Sequence, residues 1–478
     1  MKERKFDTDV QRLKYLALRE VAKLAWEDRL IDGYYEIPKK VISGNTPSMR
    51  CCVYKERAIF AERVKMAMGG YDDNPHVIQV IDIACDECPI DRFKVTETCR
   101  GCIAHRCMNA CPRGAISFKD QRAVIDPKLC VACGKCAVAC PYQAISNFVR
   151  PCERSCKVNA ISMDENRKAD INYDKCISCG ACVYQCPFGA VVDKSYIVNI
   201  IKMLQECQKS GNDVYAVIAP AIAAQFDYAS IGQIITAIKM LGFKDVIEAA
   251  LAADIIAWKE SQEIAEKGFL TSSCCPAFFN YIHKHMPQMI EHISHNNSPM
   301  VEMGTILKKM DPNAKVVFIG PCTAKKTEVA RSNGNVDYVM TFEELQALID
   351  SKEIEPSELQ EAPLNNASYY GRIFARSGGV SEAAVQALKE MGSDFEIIAE
   401  KCSGIEACKM ALLKASKGVL KANFIEGMAC LNGCIGGPAC LTHELKDMNS
   451  IDQYGKLAKE QNIKQSVDML NMMNPMEK

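Results

Sequence analysis

Apolar side chains recur along this chain in three successive rhythms. In the first eighty residues they follow a helical spacing: Leu13, Leu16, Leu18, Val21, Leu24 and Ala25 stand amid Lys, Arg and Glu, which predicts helices with one buried face. From about Ile81 the rhythm shortens. Four brief apolar cores, Gly114-Ala115-Ile116, Gln143-Ala144-Ile145, Asn159-Ala160-Ile161 and Gly189-Ala190-Val191, each follow a run of cysteines, so the stretch to Val192 reads as one half-repeat used in tandem.

Beyond Ser195 long apolar strands alternate with helices. Tyr215-Ala216-Val217-Ile218-Ala219-Pro220 and Val316-Val317-Phe318-Ile319-Gly320-Pro321 are continuous apolar runs, expected of parallel strands covered on both faces. Val336-Asp337-Tyr338-Val339-Met340 predicts a strand running into Thr341-Phe342-Glu343-Glu344, a helix start with capping-box chemistry, and Phe395-Glu396-Ile397-Ile398 predicts one more. The expected organisation is a helical N-terminal segment over 1–80, an α+β cysteine-repeat domain over 81–194, an α/β domain of parallel strands and helices over 195–445, and a C-terminal tail over 446–478. In α/β sheets ligands sit beyond the strand ends, here near Ala219-Pro220-Ala221 and Pro321-Cys322.

With 478 residues there is enough chain for two to four domains. Lys plus Arg number 58 and Asp plus Glu 59, so no strong field draws nucleic acid or an anionic membrane. The start Met1-Lys2-Glu3-Arg4-Lys5 has no apolar core after it and no run approaches a membrane span; a soluble, cytoplasmic protein is expected. The 27 cysteines are grouped rather than scattered, which favours metal thiolates over disulfides.

Two runs, Cys130, Cys133, Cys136, Cys140 and Cys176, Cys179, Cys182, Cys186, each followed by Pro, match C-x2-C-x2-C-x3-C-P, the ferredoxin spacing whose last cysteine serves the other cluster of a pair. A third run, Cys99, Cys102, Cys107, Cys111, has a longer second gap. Cys152 and Cys156 keep only the last two positions of such a run, so both runs need partners elsewhere. Structural zinc is the alternative for C-x2-C pairs, but zinc motifs seldom use three cysteines at two-residue gaps followed by Cys-Pro. With the pair Cys85 and Cys88 there are sixteen ligands and four [4Fe–4S] clusters; without it, fourteen make three clusters and leave two cysteines unused. Following the ferredoxin crossover, one partition is Cys99, Cys102, Cys107 with Cys140; Cys130, Cys133, Cys136 with Cys111; Cys176, Cys179, Cys182 with Cys156; and Cys85, Cys88, Cys152 with Cys186. A row of clusters moves single electrons, which implies a buried redox site and an external electron partner.

Four short pieces in the α/β region, Ser272-Ser273-Cys274-Cys275-Pro276, Gly320-Pro321-Cys322-Thr323-Ala324-Lys325-Lys326, Glu426-Gly427-Met428-Ala429-Cys430 and Gly433-Cys434, supply four further thiolates, Cys275, Cys322, Cys430 and Cys434, for one more cluster. Cys-Cys-Pro, then Pro-Cys-x-x-Lys-x-x-Glu, then Glu-x-Met-Ala-Cys-x-x-Gly-Cys, in this order, resembles the catalytic domain of monomeric [FeFe]-hydrogenases over about residues 195 to 445, and the ferredoxin region resembles the family's accessory domain.

The resemblance implies a two-lobed α/β domain with the active site between the lobes, interconverting H2 with two protons and two electrons. By resemblance Cys275, Cys322, Cys430 and Cys434 hold the [4Fe–4S] half of the H-cluster, and Cys434 bridges to a diiron unit with CO, cyanide and a dithiolate bridge, which maturation proteins install. Cys274 is then free to pass protons; otherwise it is a small buried hydrophobe. Lys325 matches the lysine that donates to a cyanide ligand and Met428 a methionine near the diiron unit, although alone they read as surface and core. Glu260, Glu263 and Lys267 share one helical face, ordinarily a solvated one; with Ser294 they fall where the family's proton relay is expected. Ferredoxin is the implied electron carrier.

Gly320 stands for the usual Met, Ala221 for a commonly polar residue, Phe278 for Trp, and Gly437-Pro438-Ala439-Cys440 for a glycine-rich Gln-Pro ending, which suits a divergent subgroup with altered tuning. Buried packing is the expectation for the remaining cysteines, Cys51, Cys52, Cys207, Cys402, Cys408 and Cys440. The competing functions are an H2 sensor with the same H-cluster at low turnover and a non-catalytic protein related to cytosolic iron–sulfur assembly factors. Cys274, Lys325 and Met428 have no use in an assembly factor, and no appended output region points to a sensor.

Overall fold

The computed structural model describes residues 4–86, 88, 91–364, 367–444 and 447–473; the first three residues of the charged start and parts of the tail lie outside them. Helix Asp9–Trp26 begins where Thr8 accepts the Gln11 N–H at 3.2 Å, satisfying one of the orphan donors of its first turn. It buries Leu18, Val21 and Ala22 in the same core as helix Ile197–Ser210 and the strands that follow. The first residues therefore brace the α/β half. Cys52 caps helix Val53–Met68 through its sulfur, which accepts the Lys55 N–H at 3.4 Å; it is only half-buried and Cys51 is exposed, so the buried packing expected of this pair does not form.

The cysteine repeats are nested rather than tandem. Strand Phe93–Val95 pairs antiparallel with Ile145–Asn147 and encloses the hairpin of Ile116–Lys119 and Arg122–Ile125. Strand Ile78–Val80 pairs with Val191–Asp193, at the far end of the repeat region, and encloses the hairpin of Ile161–Met163 and Ala169–Ile171. One ferredoxin-like unit is thus inserted into another, between Cys88 and Cys152. This corrects the tandem reading: the outer unit's first cysteine run is split by the insertion, and Cys85 and Cys88 are the missing half of Cys152 and Cys156.

All four copies share one local device. The third residue after the last cysteine of each run, Gly114, Gln143, Asn159 or Gly189, takes a left-handed backbone. The next residue's N–H then points back at that cysteine: Ala115, Ala144, Ala160 and Ala190 donate to the sulfurs of Cys111, Cys140, Cys156 and Cys186 at 3.2–3.3 Å.

The α/β half contains two parallel sheets. One runs in the order Asp245–Glu248, Val214–Ile218, Lys315–Gly320, Tyr338–Thr341, and the other Leu270–Thr271, Phe424–Met428, Ala399–Ser403. The capping box at Thr341 and Glu344 forms as its residues predict. The strand expected at Phe395–Ile398 begins instead at Ala399: the Ile398 N–H is taken by the Asn423 side chain at 2.8 Å, so ladder pairing starts one residue on. No helix among the described residues is long and apolar enough to cross a membrane.

The joint between the two halves is ionic and buried. Lys326 bridges Asp193 and Glu344, each at 2.9 Å, and Lys14 bridges Asp193 and Glu343, each at 2.5 Å. Asp193 closes the outer ferredoxin-like strand pair, Lys14 lies on the first helix and the others belong to the α/β half, so one network fastens three parts of the chain.

Candidate metal centre and proton route

In the nested repeats several cysteines stand close enough to feel one another. Burial first, then the thiols of Cys186, Cys85 and Cys88, push Cys152 up to about 12. Cys182 is raised by burial and by Cys179, Cys176, Cys156 and also Cys152. In the inner unit Cys107 feels Cys140 and Cys102, and Cys136 feels Cys130 and Cys111. Among the described residues no three His, Cys, Asp or Glu side chains stand close enough to hold a single metal ion. The sets are more open than that, and are made wholly of soft thiol donors, which fits [4Fe–4S] clusters.

The remaining set is assembled by the ends of parallel strands. Leu270–Thr271 runs out into Cys274 and Cys275, Lys315–Gly320 into Cys322, and Phe424–Met428 into Cys430. Cys434 is delivered by the next loop, whose Gly433 has φ +88° and comes so near the Ala375 carbonyl that a Cβ would sit 2.7 Å from it; any side chain would push Cys434 away. The Cys434 N–H donates to the same carbonyl at 2.7 Å. Burial and then one another's thiols raise Cys322 to about 11 and Cys434 to about 12, and lift Cys430 well above its ordinary value. Cys275, Cys322, Cys430 and Cys434 line one cavity together with Cys274, Lys325 and Met428. The donor chemistry fits the cluster that the sequence implies, with one thiol left over.

The nearest accessory set abuts this cavity. The Thr323 hydroxyl donates to the Ser178 carbonyl at 2.9 Å. Gly180 lies so close to Thr323 and Pro438 that a Cβ would meet them at 2.5–2.6 Å. Cys179 and Cys322 consequently feel each other's charge. An electron leaving the Cys156, Cys176, Cys179, Cys182 set has a direct neighbour in the cavity's thiols.

Lys325 reaches the cavity with its ammonium held by three protein acceptors: Glu328 at 2.6 Å, the Ser298 hydroxyl at 2.8 Å and the Cys274 carbonyl at 3.3 Å. Met428 is buried and lines the wall. Beside Gly320 the ring of Phe318 occupies the place a side chain would take, with a Cβ there only 2.7 Å from it; Phe318 also lines the cavity. Likewise Phe278 packs flat on Gly427, where a Cβ would meet the ring at 2.2 Å. Cys440 is buried with its thiol on the Ile435 carbonyl at 3.3 Å, which supports the Cys434 loop from behind. Buried Cys402 and Cys408 pack against each other beneath Cys275.

From Cys274 a line of acids and hydroxyls leads outward along helix Ala249–Lys267. Burial and the nearby Glu260 carboxyl keep the Cys274 thiol protonated. Burial also pushes Glu260 up to about 7; its Oε1 takes the Ser273 N–H at 3.4 Å while Oε2 has no hydrogen-bond partner among the described residues. The Ser294 hydroxyl donates to Glu263 at 3.0 Å. Against burial, which works the other way, Lys267 at 2.7 Å and the backbone and ring of His295 hold Glu263 below the usual carboxylate range. Lys267 and His295 both meet solvent. The structure thus brings together every relay residue expected from the sequence and adds His295 and Asn296, whose amide donates to Glu263 at 2.9 Å. Met300, Phe318 and Phe374 are further lining residues that no motif announced; the Gly320 departure was the one available signal for Phe318.

Residues 212–438 match the family of the iron only hydrogenase large subunit, C-terminal domain, and residues 98–144 and 150–190 match the 4Fe-4S dicluster domain. The chain is 26% identical over 402 residues to iron hydrogenase 1 of Clostridium pasteurianum, covering 71% of this chain and 69% of that protein. It is 29% identical to the NADP-reducing hydrogenase subunit HndD of Solidesulfovibrio fructosivorans over 52% of this chain and 53% of the relative. It spans, then, between about half and about two thirds of these relatives' lengths. A shorter stretch, 25% of this chain, is 31% identical to the cytosolic Fe-S cluster assembly factor NAR1 of Botryotinia fuckeliana, of which it covers 24%. In fold, 59% of this chain superimposes on 94% of the [FeFe]-hydrogenase HydA1 of Chlamydomonas reinhardtii with a TM-score of 0.50 at 18% identity.

Proposed function

We propose that the chain is an [FeFe]-hydrogenase-like protein that interconverts H2 with two protons and two electrons, drawing on a one-electron carrier such as ferredoxin. The observation that carries this reading is the convergence of four half-buried cysteines, plus a fifth left over, on one cavity touching an accessory thiol set. Cys275, Cys322, Cys430 and Cys434 would hold the [4Fe–4S] half of the H-cluster. When bound, that cluster and its diiron unit supply the chemistry that splits or forms H2.

The chain's own residues do the rest. The Cys274 thiol stands over the cavity and passes a proton to or from Glu260, whose pKa near neutrality lets it hold or release one at little cost. Ser294 relays it to Glu263, and Lys267 and His295 exchange it with water. Lys325 binds and orients a ligand in the cavity by giving up one of its protein acceptors. Apolar walls at Met300, Phe318, Phe374 and Met428 exclude water. Sixteen cysteines in four sets hold four accessory clusters, and iron and sulfide counting on protein without the diiron unit separates four from three.

Infrared spectroscopy of protein matured with the H-cluster assembly enzymes is the decisive experiment. CO and cyanide stretching bands are expected, and their absence removes the proposal. The short likeness to NAR1 favours a second reading, an assembly-factor-like protein. Such a protein has no use for the Cys274–Glu260 relay, so intact clusters without H2 evolution, in protein that Cys274→Ala leaves unaltered, would select it.

A further inference from the structure

The inner ferredoxin-like unit, residues 91–148, is built on the same repeat as the outer one but presents a different surface. Ile103 and Val138 are 98% and 89% exposed, and Val131 and Tyr142 more than half exposed. These side chains interleave with the cysteines of the two inner sets: Ile103 follows Cys102, Val138 and Tyr142 flank Cys140, and Val131 follows Cys130. Helices Arg106–Asn109 and Lys135–Ala139 pack on each other, which brings the Cys102 loop and Val138 into one neighbourhood. Cys133 is itself exposed. Large apolar groups left in water around redox centres mark a contact surface rather than a core.

Charge says what that surface meets. Residues 91–148 carry nine Lys or Arg against four Asp or Glu, a surplus of five positive charges in a chain whose net charge is −1. Residues 149–193 of the outer unit carry six of each, so the basicity does not come with the repeat. Arg100, Arg106, Lys128 and Lys135 are all exposed beside the cluster cysteines. An apolar centre in a predominantly basic surround suits a partner of the opposite sign, steered in by the field and seated by apolar contact.

We propose that an acidic one-electron-carrier protein docks on the inner unit across Ile103, Val131, Val138 and Tyr142, delivering electrons at the Cys99, Cys102, Cys107, Cys140 and Cys130, Cys133, Cys136, Cys111 sets. This rests on the proposed hydrogenase reading and adds where the carrier binds. The test is calorimetric binding of an acidic bacterial ferredoxin to the full-length, cluster-loaded protein, which needs no turnover. The double variant Ile103→Glu with Val138→Glu, at two surface positions, is expected to weaken binding at least tenfold. Lys128→Glu with Lys135→Glu is expected to weaken it at low salt and to flatten its salt dependence.

H2 evolution from reduced methyl viologen, a small dye needing no docking surface, is expected to be unchanged in both variants, and its absence in all forms would indict the hydrogenase reading alone. Equal ferredoxin binding by wild type and the Ile103, Val138 variant, or none by either, overturns the docking proposal. So does self-association of the wild type that this variant abolishes, which would give the face to a second copy of the chain.

Discussion

Two groups of buried ionisable side chains, one at the joint between the halves and one within the α/β half, are organised in opposite ways. At the joint, Asp193 faces both Lys14 and Lys326, and Lys326 also faces Glu344; although burial would raise the Asp193 carboxyl, the two ammonium groups hold it well below its ordinary range. On helix Ala249–Lys267, Asp254 and Glu260 have no cation beside them among the described residues, and burial pushes each up to about 7. Asp254 is satisfied by the Ser368 backbone and hydroxyl at 2.8 and 2.6 Å, whereas one Glu260 oxygen has no hydrogen-bond partner among the described residues. Paired charges fasten the fold and cannot move a proton near neutrality. An unpaired buried acid is poised to do so.

The comparison breaks if the joint is dispensable. Lys326→Met would leave Asp193 and Glu344 buried and facing each other, and losing one partner of a buried pair costs about 3–5 kcal/mol. Denaturant unfolding of the cluster-loaded protein is expected to shift by that much, with Lys326→Arg recovering part of it; an unchanged midpoint would mean the network is ornamental. Cys274→Ala tests the other region. It is expected to cut H2 evolution by about 10²–10⁴-fold, the usual scale for a proton-transfer group, while the infrared bands and the unfolding midpoint stay near wild type. Retained turnover would take Cys274 out of the route.

The pH dependence of stability separates the two kinds of acid more finely. Asp193 is depressed in the folded state, so its contribution is present above the ordinary carboxylate range and is lost as pH falls. Asp254 is raised, so the folded state binds the extra proton; its contribution is full below the unfolded carboxylate value and is lost as pH rises to about 7. Asp254→Asn is expected to remove a downward slope of at most about 1.4 kcal/mol per pH unit between roughly pH 4 and 7. A slope equal in variant and wild type would show that Asp254 is ionised in the fold.

The cavity was legible in the sequence because its cysteines follow apolar strands, and a parallel strand's end is where an α/β fold places its ligands. The nesting of the repeats was not. Strand Ile78–Val80 is three residues long and finds its partner Val191–Asp193 across the whole inserted unit, and so short a strand has no periodicity to read; the orphaned pairs Cys85, Cys88 and Cys152, Cys156 were its only trace. Phe318 was hidden for another reason: a ring two residues upstream replaces what the Gly320 position lost, and its direction depends on the sheet. His295 is exposed, and nothing in the sequence around it points to the route's outer end.

That outer end supports the smallest expected effect. Glu263 takes both Lys267 and the His295 ring at 2.7 Å, and the two bases stand 2.8 Å apart. Either can hand a proton to water, so their losses should not add. Lys267→Met alone is expected to lower H2 evolution less than about threefold, as is His295→Phe, while the double variant falls tenfold or more. The geometry explains why the effect is small singly: one remaining partner still hydrogen-bonds Glu263, so the relay keeps its exit. A single Lys267→Met variant as slow as the double would assign the exit to Lys267 alone and leave His295 a surface residue that happens to reach it.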